Sequence, residues 1–185
     1  APPAALREAK DLGAEGIQVG TAFALSDASG ISPEMRLEIL RRHLDGSLGI
    51  QTDFSASPTG YPFKVASLGP GCEQAGARED RCRICDLGYL RHPYCREDGS
   101  IGSRCPGEPV DFFVKKGGER DETVGRQCLC NGLLAASGLA QSRGEALEPP
   151  ILTIGQDLSF LSHLVKDGVL SYSPSDVIDY LDSES

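Results

Sequence analysis

The chain has 185 residues, 39% of them hydrophobic and 24% charged, with a formal net charge of −9. That balance fits a soluble globular protein of one domain or slightly more and excludes disordered and collagen-like chains. No apolar run approaches the ~20 residues of a membrane helix, so no membrane partner is expected, and so acidic a chain is a poor match for nucleic acid. The 22 Gly and 12 Pro argue against an all-helical bundle.

Ala5, Leu6, Ala9 and Leu12 recur at helical spacing, and Gly13 stands where a C-terminal cap belongs, so a helix is predicted over Ala4 to Leu12. Ile17 and Val19 then read as a short buried strand that turns at Gly20-Thr21. A second helix begins with Ser32 as N-cap, Pro33 in the first turn and Glu34 at the positive end of the dipole. It stops at Gly46, and Met35, Ile39, Leu40 and Leu44 form its apolar face. Thr52 to Val65 is an extended or looped segment held by Pro58 and Pro62. From Leu68 to Pro150 the pattern turns irregular and cysteine-rich, with helical periodicity only over Cys128 to Leu139. Leu158, Leu161, Leu164 and Val165 mark a further helix, and Ser173-Pro174-Ser175-Asp176 opens the last one with a capping-box signal. Glu145 to Ser185 carries eight acidic residues against Lys166 alone, so most of the negative charge sits at this end.

A strand as apolar as Gly16 to Val19, flanked by helices, normally lies in a parallel sheet covered on both faces. The remaining inventory holds too few strands for such a sheet, so the sequence reads as beginning mid-architecture. The Gly-Thr pair after that strand offers backbone N–H groups and a hydroxyl to a phosphate, and it reads equally as an ordinary turn at a strand end.

The segment LGAEGIQVGTAF, Leu12 to Phe23, resembles the last strand and phosphate loop of the nitronate monooxygenase (2-nitropropane dioxygenase) family of FMN-dependent TIM-barrel enzymes. ASPTGYPFKV (Ala56 to Val65), CDLGYLRHPY (Cys85 to Tyr94), IGSRCPGEPV (Ile101 to Val110) and GRQCLCNGLLA (Gly125 to Ala135) are similar to a branch of that family with a long C-terminal extension. The resemblance implies an α/β fold: the C-terminal fragment of an FMN-binding TIM (β/α)8 barrel over residues 1–66, an irregular cysteine-rich extension over 67–150 and a C-terminal helical segment over 151–185. It places the FMN phosphate at Gly20 and Thr21, with Gln18 and Val19 lining the approach. The activity implied is oxidation of alkyl nitronates to carbonyl compounds and nitrite, with a small-molecule substrate and the upstream barrel units as partners. The family's histidine base and glycine-rich loop lie upstream of the matched part, so no catalytic residue is assigned and the fragment is expected to be inactive alone. His43, His92 and His163 are read as surface or cap residues. Ser57, Thr59 and Gly60 read as a proline-stabilised turn or as a cover for the flavin.

Seven cysteines is an odd number, and Ala1 to Glu8 lacks the order of a secretory leader, so a reducing cytoplasm is expected. The thiols are then either free or metal ligands. Cys82-x2-Cys85 with Cys128-x-Cys130 is the reading that local spacing offers. The segments that carry the resemblance contain Cys85, Cys105, Cys128 and Cys130, which makes these four the preferred ligand set for zinc or an iron–sulfur cluster, with their loops converging. Two alternatives accompany the nitronate reading. One is a flavin-dependent enoyl reductase on the same barrel, and the other a non-catalytic, metal-stapled module that docks a partner on Met35, Ile39 and Leu40.

Overall fold

The structure, a computed structural model, describes residues 2–68, 82–144, 146–166 and 168–183. In chain order its elements are α1 (Ala4–Asp11), α2 (Thr21–Ala24), α3 (Pro33–Leu44), β1 (Gly49–Asp53), β2 (Phe63–Ser67), β3 (His92–Cys95), β4 (Ile101–Arg104), α4 (Val110–Lys115), α5 (Leu129–Ala136), β5 (Ser142–Arg143), β6 (Ala146–Leu147), α6 (Leu161–Leu164) and α7 (Pro174–Asp182). A 3₁₀ turn at Arg120–Thr123 stands between α4 and α5. The fold is mixed α and β. Its strands form three two-stranded antiparallel pairs, β1–β2, β3–β4 and β5–β6, and the described residues contain neither a parallel pair nor a closed barrel. None of the described helices is long and apolar enough to cross a membrane.

Two compact units divide the chain, one made of Ala1–Leu48 with Ile154–Ser185 and the other of Gly49–Thr153. In the first unit, α3 starts as its sequence dictates. The Ser32 hydroxyl accepts the Met35 N–H at 3.4 Å, Pro33 occupies the first turn, and Glu38 pairs with Arg41 and Arg42 at 2.6 Å each. Ile39 and Leu40 are fully buried, which removes them from any partner-docking face. Before α7, Ser173 and Asp176 cap each other's backbone reciprocally. Just upstream, the buried Tyr172 donates its hydroxyl to the Ala22 carbonyl at 2.8 Å while its own carbonyl accepts the Asp27 N–H at 2.9 Å. These bonds fasten α2 to the C-terminal helices, an association of residues 150 positions apart.

The expected strand at Ile17 to Val19 does not form. Ile17 and Val19 are half-buried, Gly16, Gln18 and Gly20 are exposed, and the segment pairs with no strand among the described residues. A single apolar run cannot satisfy its backbone as a strand without a neighbour, so it stays irregular up to the start of α2 at Thr21.

The second unit is organised on the β1–β2 hairpin, in register from Gly49 opposite Ser67 to Asp53 opposite Phe63. Val65 bridges to Thr153, and the Ala66 N–H donates to the Leu152 carbonyl at 3.0 Å. Ala56, Val65, Leu129 and Ile151 form a buried cluster, flanked by Phe63 and Leu90. Residues 49–68 and 151–153 therefore fold with the cysteine-rich stretch, and the expected division after residue 66 falls inside β2. The loop within the hairpin is internally bonded: Asp53 Oδ1 accepts from Ser55 N at 2.7 Å and Ala56 N at 3.2 Å, and Arg126 Nη1 donates to the Phe54 carbonyl at 2.7 Å.

Candidate functional site

The Gly20–Thr21 segment lies in the first unit. Gly20 is exposed, and a Cβ added to it would meet no atom within 4 Å. Thr21 and Ala22 head α2, where backbone N–H groups have no acceptor within the helix. The Thr21 hydroxyl accepts the Gly155 N–H at 2.8 Å, which fixes the side chain and leaves its own hydrogen available to donate. Val19 faces a shallow apolar cavity of about 260 Å³ with Leu6, Ile17, Phe23, Ile178 and Leu181. The exposed Gln18 is not among the residues lining it. Open backbone donors beside a glycine, with one oriented hydroxyl, suit a phosphate monoester. They offer nothing that would hold a flavin ring.

Ser57, Thr59 and Gly60 belong to the second unit and form a turn. The Ser57 and Thr59 hydroxyls bond at 2.8 Å, and the Gly60 N–H donates to the Ser57 carbonyl at 3.2 Å. Among the histidines, His43 is half-buried on α3, His92 is exposed at the start of β3, and His163 stacks on Tyr180 with ring centroids 5.1 Å apart.

The cysteine-bearing loops are joined by side-chain hydrogen bonds. Arg83 donates to the Pro106 carbonyl at 3.1 Å and the Thr123 carbonyl at 2.8 Å, drawing the first loop against the other two. Asn131, fully buried on α5, donates to Asp86 Oδ1 at 2.9 Å and holds the first loop from the other side. Gly107 lies so close to the Gln127 carbonyl that a Cβ would approach it to 2.8 Å. Within this junction Cys85 and Cys105 are close enough to influence each other's protonation, and Cys128 acts on Cys105 electrostatically. Cys105 and Cys128 are buried, Cys85 and Cys130 half-buried, and Cys82 and Cys95 exposed. Cys72 lies outside the described residues. No group of three or more His, Cys, Asp or Glu side chains is placed to hold a metal ion among the described residues, so the convergence stops short of a ligand shell.

The surroundings of this thiol pair are strongly charged. Arg91 Nη2 donates to the Cys85 carbonyl at 2.6 Å, and its guanidinium lies against the Cys85 thiol. Gly88 makes room for that arrangement: at φ +69° it adopts a left-handed turn, and a Cβ there would come within 2.9 Å of Arg91 Nε. Glu108, buried beside the pair, accepts the Cys105 N–H at 3.3 Å and the Lys116 ammonium at 2.7 Å. The hydrogen bond from Cys105, followed by the contacts of Arg91, lowers the Cys85 thiol from an ordinary value of 9.0 to about 6, against the opposing effect of burial. Cys105 is raised for the complementary reason, since it keeps the proton the two sulfurs share and is more deeply buried.

Alkylation of Cys85 is therefore expected to reach half its limiting rate near pH 6, and Arg91→Gln is expected to move its profile upward. Quantitative labelling by mass spectrometry across pH 5 to 9 checks this, and a Cys85 profile that rises only towards pH 9, or one that Arg91→Gln leaves in place, would refute it. The linked stability has a definite sign. A thiol with a lowered folded pKa stabilises the fold fully above its unfolded value near 9, and that contribution is lost as pH falls through about 6.

Sequence reasoning on spacing and segment similarity did not single out Arg91 or Glu108. Arg91 follows Gly88 by three residues, a turn signal that places an arginine back over the preceding cysteine loop. No family model, curated protein or solved structure matches the chain.

Proposed function

We propose that the chain is part of an FMN-dependent nitronate monooxygenase-like oxidoreductase, contributing the Gly20–Thr21 segment to the flavin phosphate site of a TIM barrel. The observation that carries this reading is the open approach to Gly20 beside the oriented Thr21 hydroxyl, in a segment that resembles the family's phosphate loop. Backbone N–H groups of Thr21 and Ala22 and the Thr21 hydroxyl would hold the phosphate, while Gln18 and Val19 flank its approach. FMN, when bound, supplies the electron-accepting chemistry by which an alkyl nitronate becomes a carbonyl compound and nitrite. The role of this chain's residues is to bind and position. Gly155 keeps the Thr21 side chain in one orientation, so its donor need not be ordered when the anion arrives.

The test is expression from the whole reading frame, followed by a flavin spectrum and assays with a nitronate and an enoyl thioester. The expected result is a yellow protein that consumes the nitronate. Turnover of the enoyl thioester alone would favour the reductase alternative, and a colourless protein that takes up no FMN would overturn both.

A further inference from the structure

Between the turn of the β3–β4 hairpin and the end of α4, the second unit holds an open cavity of about 700 Å³, a size that suits a small polar ligand. Its charged lining is Arg96, Glu97 and Asp98 from the turn, Arg104 from β4, and Lys115 and Lys116 at the end of α4. In a chain of net charge −9, this local excess of cations runs against the overall sign. Two of the four cations are already answered: Lys116 pairs with the buried Glu108 at 2.7 Å, and Arg96 lies in the field of Asp98. Arg104 and Lys115 have no carboxylate partner among the described residues. Glu97, exposed on the turn, is the lining acid left to oppose them.

The fold, rather than a counter-ion, holds the arginines in place. The Arg104 guanidinium lies 5.1 Å from the Tyr94 ring centroid and 5.5 Å from that of Phe113, and its Nη1 donates to the Lys116 carbonyl at 2.9 Å. Gly117 turns the chain there at φ +78°, and a Cβ on it would stand 3.4 Å from Arg104 Nη1. Gly102 makes room on the other side, since a Cβ on it would meet the Tyr94 ring at 2.6 Å and Arg96 Nε at 2.9 Å. Arg96 Nη1 donates to the Ser100 hydroxyl at 3.2 Å. Each guanidinium has five N–H donors, so both keep further donors beyond these bonds. The carbonyls of Phe113, Val114 and Lys116 are taken by the chain's own donors, which weakens the negative character of this helix end.

We propose that this cavity binds a small phosphate monoester, with Arg104 and Arg96 as forked donors and Lys115 as the charge at its mouth. Near neutral pH a phosphate monoester carries close to two negative charges and presents three acceptor oxygens, which guanidinium forks meet in pairs. A lone carboxylate would leave one of the two unanswered cations without a partner. The site goes beyond the flavin reading, and it lies in the second unit whereas Gly20–Thr21 lies in the first, so the two can fail separately.

The test is calorimetric titration of the full protein with glucose-6-phosphate, and with glucose and glucuronate at the same ionic strength. Glucose-6-phosphate is expected to bind at least about tenfold tighter than either control. Arg104→Gln is expected to weaken it about tenfold or more, Lys115→Gln about threefold, and Glu97→Gln to tighten it about twofold. Arg104 also packs on two rings, so its variant can lose stability, whereas Lys115 and Glu97 are exposed and their variants decide the matter. An arginine with a purely structural role would leave no binding for those two variants to change. No binding of glucose-6-phosphate up to about 10 mM, or equal affinity for glucuronate, would overturn the proposal. So would an affinity that Lys115→Gln and Glu97→Gln leave unchanged, or one that Gly20→Ala abolishes, which would move the ligand to the first unit. Tighter binding of a hexaglutamate peptide than of the sugar phosphate would make the cavity a peptide site and contradict it as well.

Discussion

Replacing Phe113 with alanine is expected to destabilise the second unit by about 3–5 kcal/mol, the range for removing a large buried aromatic ring. Phe113 on α4 is 1% exposed, and its ring is packed so tightly against Gly118 that no Cβ fits at that position. The Arg104 guanidinium lies 5.5 Å from its centroid and 5.1 Å from that of Tyr94, and Arg104 Nη1 donates to the Lys116 carbonyl at 2.9 Å. Truncation thus empties a cavity and loosens the arginine that joins β4 to the end of α4. Phe112, next in sequence but 61% exposed, serves as the control, and its alanine variant is expected to fall within about 0.5 kcal/mol of wild type. Urea denaturation of both variants decides the matter. Equal effects would mean that α4 is not buried on its Phe113 face.

Gly132→Val is expected to cost about 3 kcal/mol, at the upper end of the range for forcing extra carbons into a packed core. Gly132 lies inside α5, a position where glycine is ordinarily a liability. A Cβ there would come within 2.5 Å of Ile151 Cγ1 and 2.9 Å of Ile151 Cβ, and the latter cannot rotate away. The close approach also lets the Ile151 N–H donate to the Gly132 carbonyl at 2.9 Å, joining the helix to the segment whose Thr153 bridges Val65. The paired variant Gly132→Val/Ile151→Ala is expected to recover part of the loss if the clash is the cause. A single variant as stable as wild type in thermal unfolding would contradict this packing.

Local chemistry made α1, α3, α5 and α7 legible, whereas α2 and α4 were not anticipated. Ser32-Pro33-Glu34 and Ser173-Pro174-Ser175-Asp176 begin helices because their caps are specified by neighbours within four residues, and α1 and α5 follow from apolar spacing in the same way. Ile17 to Val19 misled for the opposite reason: a strand is a pairing, and the composition of one segment cannot state whether its partner is present. The β3–β4 hairpin turns at Asp98-Gly99, a signal that was present but lay in a stretch otherwise without alternation. Similar segments pointed to Cys85, Cys105, Cys128 and Cys130 as a ligand set, and among the described residues no group of three or more such side chains is placed to hold a metal ion. What the spacing did not contain was the arginine and the buried glutamate beside them, because side chains meeting across loops are fixed by packing rather than by sequence distance.

Comparison of FMN with riboflavin on the protein expressed from its whole reading frame, in wild type and Gly20→Ala, tests the flavin reading most directly. Gly20 has φ −104° and open space where a Cβ would stand, so the variant is expected to unfold at the wild-type temperature. A phosphate held against that backbone predicts FMN binding at least about tenfold tighter than riboflavin in wild type, with most of that preference lost in Gly20→Ala. Equal affinity for the two flavins in wild type, or an FMN preference untouched by the substitution, would contradict the assignment of this segment to the phosphate.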